Sequence, residues 1–315
     1  MLAKPLESQK KIILTGLASA GKTSILRALD QDFVGLHQLT PTKGVEHTKI
    51  KVFGVEIYRW DLGGQEGYRQ KYIQEKERYF SGTNLVIFVL DIQDENIRAN
   101  LDYLRQVFDA LHELDVTPLF SIFFHKYDPR ILISSIVHRE RMEKYIQQIG
   151  EMKGEIEMWY YPTSIYDLTS LITSFSHVFI QIFPQQEVFA KELKDIRERF
   201  VIPAIAVTDF SPFIISKNYE ENLAEEDAHQ FEARMLTLTR QLKGRGGGTI
   251  SWTIEPFNEI FSIVAFSFPV KTEKYVMTGL FPKDTFHDLD RLRKFDMSAK
   301  EAILGIRKIL EHFYV

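Results

Sequence analysis

The amino-acid sequence predicts an α/β fold on a mostly parallel, doubly wound sheet, followed by a smaller α+β domain. Three observations lead there. The stretch Gly16-Leu17-Ala18-Ser19-Ala20-Gly21-Lys22-Thr23 matches the phosphate-loop pattern G-x-x-x-x-G-K-[ST], with an extended apolar run before it (11–15) and a helical one after it (24–29). Extended and amphipathic runs then alternate as far as residue 185, an order that places a ligand at the carboxyl ends of the strands. From residue 186 the order becomes α-ββ-α-βββ-α, and 315 residues give room for two cores. The expected domains are therefore 1–185 and 186–315.

The phosphate loop owes its chemistry to a helix start, where unpaired N–H groups and the macrodipole favour an anion. Gly16 and Gly21 let the backbone curl, and the bridge between them supplies N–H groups as a nest. Ala18, Ser19, Ala20, Gly21, Lys22, Thr23 and Ser24 are the expected phosphate-side contacts. Lys22 brings a charge for the β- and γ-phosphates, and the Thr23 hydroxyl is a ligand for Mg²⁺. A polar, turn-prone stretch follows over 31–43, and runs at 48–53 and 55–60, joined at Gly54, alternate as a hairpin does. Asp61-Leu62-Gly63-Gly64-Gln65 then closes the second run. Alone, Asp-x-Gly-Gly is a tight turn; at a strand end downstream of a phosphate loop it becomes the second half of one site. Asp61 is suited to the metal, the Gly64 N–H to close approach by a γ-phosphate, and Gln65 to orienting an attacking water.

The apolar run 85–90, ending on Asp91, reads as a strand covered on both faces. Ile97, Leu101, Leu104, Val107 or Phe108, and Leu111 mark one face of a helix. A strand at 119–124 runs into His125-Lys126-Tyr127-Asp128. A helical segment near 138–149 leads to Glu157-Met158-Trp159-Tyr160-Tyr161 and then to Thr163-Ser164-Ile165-Tyr166-Asp167. The helix 168–183 is stopped by Pro184. In the second half, a charged helix at 187–200 precedes strands 201–209 and 213–217 around Ser211-Pro212. A polar helix then runs to Lys243, strands follow at 250–255, 261–270 and 274–281, and helices occupy the rest from 284. The glycine-rich Gly244-Arg245-Gly246-Gly247-Gly248 leads into a strand, so it lacks the helix terminus of a phosphate cradle and reads as a loop. No catalytic residues group in this half, which points to association.

Composition narrows the function. A formal charge of −4 and the lack of a polybasic run argue against nucleic acid or an acidic membrane surface as a partner. With no cysteine there are no disulfides and no thiolate metal sites, which suits a reducing cytoplasm. Residues 1–5 lack the apolar core of a secretory signal, Leu2 stands where myristoylation needs glycine, and no prenylation cysteine ends the chain. The expectation is a cytoplasmic protein with no direct membrane anchor, recruited to a membrane only through a partner. His112-Glu113 is not a zinc motif, because Val116 holds the second histidine's place.

Over its first 185 residues the chain resembles the small GTPases. Residues 16–23 look like their phosphate loop, Thr42 like the switch I threonine, 61–65 like switch II, 125–128 like the base-reading motif, and Thr163-Ser164 like the last guanine-contacting motif. The resemblance implies GTP or GDP as ligand and Mg²⁺ held by Thr23, Thr42 and Asp61. It further implies Gln65 as the catalytic residue and a base site of His125, Lys126, Asp128, Ser164 and Ile165. In that site the Asp128 carboxylate would accept from guanine N1 and N2, a pattern adenine reverses. His125, where most small GTPases have Asn, is typical of the Rag/Gtr branch, as are Trp60-Asp61-Leu62-Gly63-Gly64-Gln65 and Val45-Glu46-His47. Pro41-Thr42-Lys43-Gly44 and the loop interior Leu17-Ala18-Ser19-Ala20 look Arf-like. The second half resembles the roadblock/longin-type domain through which Rag proteins dimerise. Together these imply a slowly hydrolysing GTP switch, with no arginine evident in cis, that forms a homodimer or heterodimer and answers to activating and exchange proteins. The alternatives are a phosphotransferase acting on a small metabolite and a non-hydrolysing, nucleotide-bound scaffold.

Overall fold

A computed structural model describes residues 9–313, apart from 31, 33–35, 37–39, 53–54, 129–134, 155, 184–185, 211–212, 244–250 and 287–288. The expectations at Gly54, Pro184, Ser211-Pro212 and 244–248, at both chain ends, and over much of 31–43 lie outside the described residues. The chain divides into two compact units, with the break between Ile182 and Phe183.

In the first unit the order is β1 (Gln9–Thr15), α1 (Lys22–Leu29), β2 (Val45–Val52), β3 (Val55–Leu62), α2 (Glu66–Gln74), α3 (Lys76–Phe80), β4 (Leu85–Asp91), α4 (Ile97–Glu113), β5 (Leu119–His125), α5 (Ser135–Met152), β6 (Met158–Thr163) and α6 (Leu168–Ile180). Six strands form one sheet in the order β2-β3-β1-β4-β5-β6. The pairs β1 with β3, β1 with β4, β4 with β5 and β5 with β6 are all parallel. Burial explains the centre: the side chains of Ile12, Ile13 and Leu14 on β1, and of every residue from 85 to 90 on β4, are withdrawn from solvent. Strands apolar on both faces suit only the middle of a sheet covered on both sides. The apolar stripe of α4 buries Leu101, Leu104, Val107, Phe108 and Leu111, and the Asn96 side chain caps that helix by accepting from the Ala99 N–H at 3.1 Å.

Besides shorter ends, such as the helix expected to 183 that stops at Ile180 and the strand expected from 201 that begins at Ala204, two stretches depart from the expected elements. β2 begins at Val45 rather than at residue 48, and His47 meets Trp60 of β3 edge-on with ring centroids 4.2 Å apart, a cross-strand pair that extends the ladder. The helices α2 and α3 replace an unassigned charged stretch, of which only Tyr72, Tyr79 and Phe80 are buried. Three anchors are too few for a helical period to show in the sequence.

Parallel register brings the functional stretches to one edge. Leu14 is level with Asp61, Asp91 with His125, and His125 with Thr163. Loops that are far apart in sequence therefore leave the sheet together.

The second unit contains α7 (Gln186–Phe200), β7 (Ala204–Asp209), β8 (Ile214–Tyr219), α8 (Glu225–Lys243), β9 (Ser251–Pro256), β10 (Phe261–Val270), β11 (Glu273–Pro282), a 3-10 turn (Lys283–Phe286) and α9 (Leu289–Phe313). Its five strands form an antiparallel sheet in the order β8-β7-β11-β10-β9. This α+β arrangement is consistent with a roadblock/longin-like domain. β10 is buried along nearly its whole length, whereas the edge strand β9 leaves Trp252 and Ile254 exposed.

Candidate functional site

The phosphate loop joins β1 to α1, and its two glycines are needed mainly for what lies behind it. At Gly16, where φ is 145°, a Cβ would sit 2.2 Å from the Val89 carbonyl oxygen of β4. At Gly21, with φ 97°, a Cβ would sit 2.4 Å from the His125 ring. The sequence suggests close approach of phosphate as the reason for these glycines; the structure puts the crowding on the sheet side. Ala18 and Ser19 are exposed on the loop, Ala20 is buried, and Lys22 opens α1. The Lys22 ammonium is buried and donates to the carbonyls of Leu17 at 2.8 Å and Gly16 at 3.2 Å. Burial lowers its pKa to about 8, Asp61 raises it in part and Arg69 lowers it further. A phosphate anion beside this amine would favour its charged form.

The Thr23 hydroxyl donates to Asp61 Oδ2 at 2.5 Å and lies 2.9 Å from the Thr42 hydroxyl, which itself donates to Asp61 Oδ2 at 3.3 Å. Three residues 19 or more positions apart in sequence thus meet at one carboxylate. The other oxygen, Asp61 Oδ1, is buried without a hydrogen-bond partner. A convergent set of hard oxygen donors with one orphaned lone-pair atom fits Mg²⁺, which takes one or two protein ligands and completes its shell with phosphate oxygens and water. No group of three or more His, Cys, Asp and Glu side chains among the described residues could hold a metal by itself, so a cation here would depend on these hydroxyls.

Gly63 and Gly64 lie against the loops on either side. The Gly63 N–H donates to the Gly44 carbonyl at 2.8 Å, and a Cβ on Gly64 would fall 2.3 Å from the Leu17 carbonyl. Gln65 follows as the N-cap of α2, with its side-chain Oε1 buried and unpartnered. A cavity of about 510 Å³ is bounded by Ala18, Ser19, Gly21, Lys22, Thr23 and Ser24, by Thr40 to Thr42, by Gly63 to Gln65, and by Lys126. Thr40 and Pro41 are lining residues beyond those expected to bind the nucleotide.

At the far end the groups are tied to one another. Asp128 Oδ1 accepts from the Ser164 hydroxyl at 2.5 Å, and that hydroxyl accepts from the Tyr166 N–H at 3.0 Å. Ile165 occupies the turn between them and is half-buried. Lys126 adopts a positive φ of 62° and pairs with Asp91 at 2.5 Å. Of the five expected base-site residues only Lys126 lines the cavity, and His125, Asp128, Ser164 and Ile165 do not; the His125 ring is buried against Gly21 and its Nδ1 lies 3.1 Å from the Thr163 hydroxyl. Burial lowers its pKa to about 4, with a further push from Lys126 and an opposing pull from Asp128, so the imidazole is neutral at pH 7. Asp91, Arg69 and Tyr103 are further residues in contact with the site, and only Asp91, at the end of an apolar strand, carried a signal in the sequence.

A six-stranded sheet in this order, with a phosphate loop after β1 and Gly63-Gly64-Gln65 following Asp61 and Leu62 at the end of β3, is a small-GTPase fold. The model of the Gtr1/RagA G protein conserved region matches residues 11–235, and the chain belongs to that family. It is a GTP-binding switch protein and a GTP hydrolase, which sets aside the phosphotransferase and scaffold alternatives. Its relatives include the Ras-related GTP-binding protein B of Rattus norvegicus, 22% identical over 75% of this chain and 70% of that protein. Ras-related GTP-binding protein A of Dictyostelium discoideum is 21% identical over 74% of this chain and 77% of that protein. The ADP-ribosylation factor-like protein 3 of Chlamydomonas reinhardtii is 31% identical over 40% of this chain and 67% of its own length.

Proposed function

We propose that the chain is a slowly hydrolysing GTP switch whose phosphate end senses the γ-phosphate, and that it works as a dimer through residues 186–315. The observation that carries this reading is the meeting of the Thr23 and Thr42 hydroxyls at Asp61, beside the unpartnered Asp61 Oδ1 and Gln65 Oε1. Thr42 and the Gly63-Gly64-Gln65 turn line one cavity with the phosphate loop, so a γ-phosphate there would draw both inward and its loss would release both.

In the proposed hydrolysis, the loop N–H groups and Lys22 hold the β- and γ-phosphate charge, and the Gly64 N–H faces the γ-phosphate. The Gln65 side chain orients the water that attacks phosphorus as the bond to the bridging oxygen breaks. Thr23, Thr42 and Asp61 would hold Mg²⁺, which when bound supplies neutralisation of the developing phosphate charge. Asp128 reads the guanine edge with Ser164 and Ile165 around it, Lys126 lies along the base, and His125 braces the phosphate loop from behind. Slow turnover follows from the position of Arg69, which is committed to a backbone carbonyl and an aromatic ring, leaving acceleration to an activating protein. Exchange proteins would act by prising the same loops apart. The edge strand β9, with Trp252 and Ile254 outward, is the place where a second copy or a related chain would add a strand. We place the protein in the cytoplasm, brought to a membrane by a partner; among the described residues no helix is long and apolar enough to cross one.

Single-turnover hydrolysis by Gln65→Leu, beside GTP and ATP affinities of the parent, tests this directly. A fall on the order of tenfold or more with GTP affinity kept is the expected result. An unchanged rate removes Gln65 from the mechanism, and tight ATP with weak GTP binding removes the role of Asp128.

A further inference from the structure

In the scheme above Arg69 figures only as a guanidinium withheld from the phosphates, yet it touches the residue on which that scheme turns. It lies four positions after Gln65, the N-cap of α2, and its own N–H closes the first helical turn on the Gln65 carbonyl at 3.0 Å. One turn of helix is the length that lets an arginine reach back over its own N-terminus. Arg69 Nε donates to the Gly64 carbonyl at 3.0 Å, holding the peptide that joins Gly64 to Gln65. The guanidinium also lies 4.9 Å from the centroid of the Tyr103 ring, an aromatic face that fixes a planar cation.

Tyr103 is itself rigid. It is buried on α4, packs against Phe88 of β4, and its hydroxyl lies 2.7 Å from that of Thr15, the last residue of β1 before Gly16. Contacts therefore run from the base of the phosphate loop through Thr15, Tyr103 and Arg69 to the Gly64 carbonyl. Gly64 returns to the same loop through its fit against Leu17 and Ala18. The proximity of Arg69 also registers electrically at Lys22, whose protonation it disfavours.

We propose that Arg69 is a positioning residue for GTP hydrolysis: braced on Tyr103, it holds the Gly64–Gln65 peptide so that Gln65 points at the γ-phosphate side, coupling the base of the phosphate loop to the switch. The inference rests on the reading of Gln65 given above. An unsupported peptide at this glycine would be free to rotate, because glycine resists rotation less than any other residue. Loss of orientation lowers the rate of the chemical step without weakening nucleotide binding.

The test is single-turnover GTP hydrolysis by the full chain, with GTP and GDP affinities measured alongside, for Arg69→Ala, Arg69→Lys, Tyr103→Phe, the double variant Arg69→Ala with Tyr103→Phe, and Gln65→Leu. Arg69→Ala is expected to be on the order of tenfold slower with both affinities within about twofold of the parent. Arg69→Lys, which keeps a cation able to reach the carbonyl, should recover part of the rate. Tyr103→Phe should be about threefold slower, and the double variant no slower than Arg69→Ala, because the two side chains act in series. The lysine and phenylalanine variants keep the packing, so the comparison survives a poorly folded alanine variant. A parental rate in Arg69→Ala while Gln65→Leu is slow overturns the positioning role alone. Affinity lost in step with rate, a lysine variant as slow as alanine, or additive losses in the double variant also overturn it. A parental rate in Gln65→Leu overturns the underlying reading and this inference with it.

Discussion

The two ends of the nucleotide site are built on opposite plans. At the base end the polar groups are paired before any ligand arrives: Asp128 with Ser164, Lys126 with Asp91, His125 with Thr163. At the phosphate end they are left wanting, with Asp61 Oδ1 and Gln65 Oε1 unpartnered and a desolvated Lys22 donating to backbone carbonyls. A prepaired pocket presents the same surface whatever is bound beyond it, so it suits selection of one base. An underpaired pocket changes when a charged group enters, so it suits a switch. We propose that specificity and response are divided in this way between the carboxyl ends of β5 and β6 and those of β1 and β3.

Substitutions at the two ends should therefore fail differently. The largest effect is expected from Asp128→Ala, which removes both the proposed guanine acceptor and the partner of Ser164. GDP affinity should fall on the order of a thousandfold, about 4 kcal/mol, in a fluorescent-nucleotide titration; a loss under tenfold would mean that the base end is not the selector.

Next comes the pH dependence of His125. Its pKa is about 4 in the folded chain against an ordinary 6.5, so folding favours the neutral ring. The unfolded chain binds the extra proton between those values. Stability from this group is complete above pH 6.5 and declines as pH falls towards 4, by about 3 kcal/mol in all. Denaturant melts across that window should show a shallower decline for His125→Asn than for the parent. Equal slopes would show that the histidine is not held neutral.

Gly64→Ala attacks the phosphate end. The added methyl would meet the Leu17 carbonyl, so hydrolysis should fall at least tenfold, about 1.4 kcal/mol or more, while GDP affinity stays within a few-fold. Parallel losses of rate and GDP affinity would erase the contrast between the ends. The smallest effect is expected from Tyr72→Phe. The buried Tyr72 hydroxyl donates to the Gly44 carbonyl at 2.7 Å, which the Gly63 N–H also reaches, so its loss should cost about 1 kcal/mol in chemical denaturation.

Legibility followed the range of the interaction concerned. The buried strand 85–90 was plain because six consecutive apolar residues need no partner to be recognised. The phosphate loop, the Asp61 turn and 125–128 were plain because each is a contiguous pattern. The helices α2 and α3 were not, since Tyr72, Tyr79 and Phe80 are only three buried anchors shared between two short, charged helices. Arg69 gave no signal either: an arginine one turn into a charged helix looks solvated until Tyr103 is found 34 positions away in sequence to receive it. His125 shows both cases together. Its place in the base-reading motif was legible, whereas its packing against Gly21 was not.

By itself the sequence determined the order of elements apart from α2 and α3, the two successive architectures and the chemical types brought to the site. These depend on residues adjacent in the chain or spaced by one helical or strand period. Only the tertiary structure decided that the Thr42 hydroxyl meets Thr23 at Asp61, that the Lys22 amine is desolvated, and that Arg69 rests on Tyr103. Those facts depend on parallel register, which aligns the ends of distant strands. They also depend on burial, which sets how much an unpaired polar atom or charge costs.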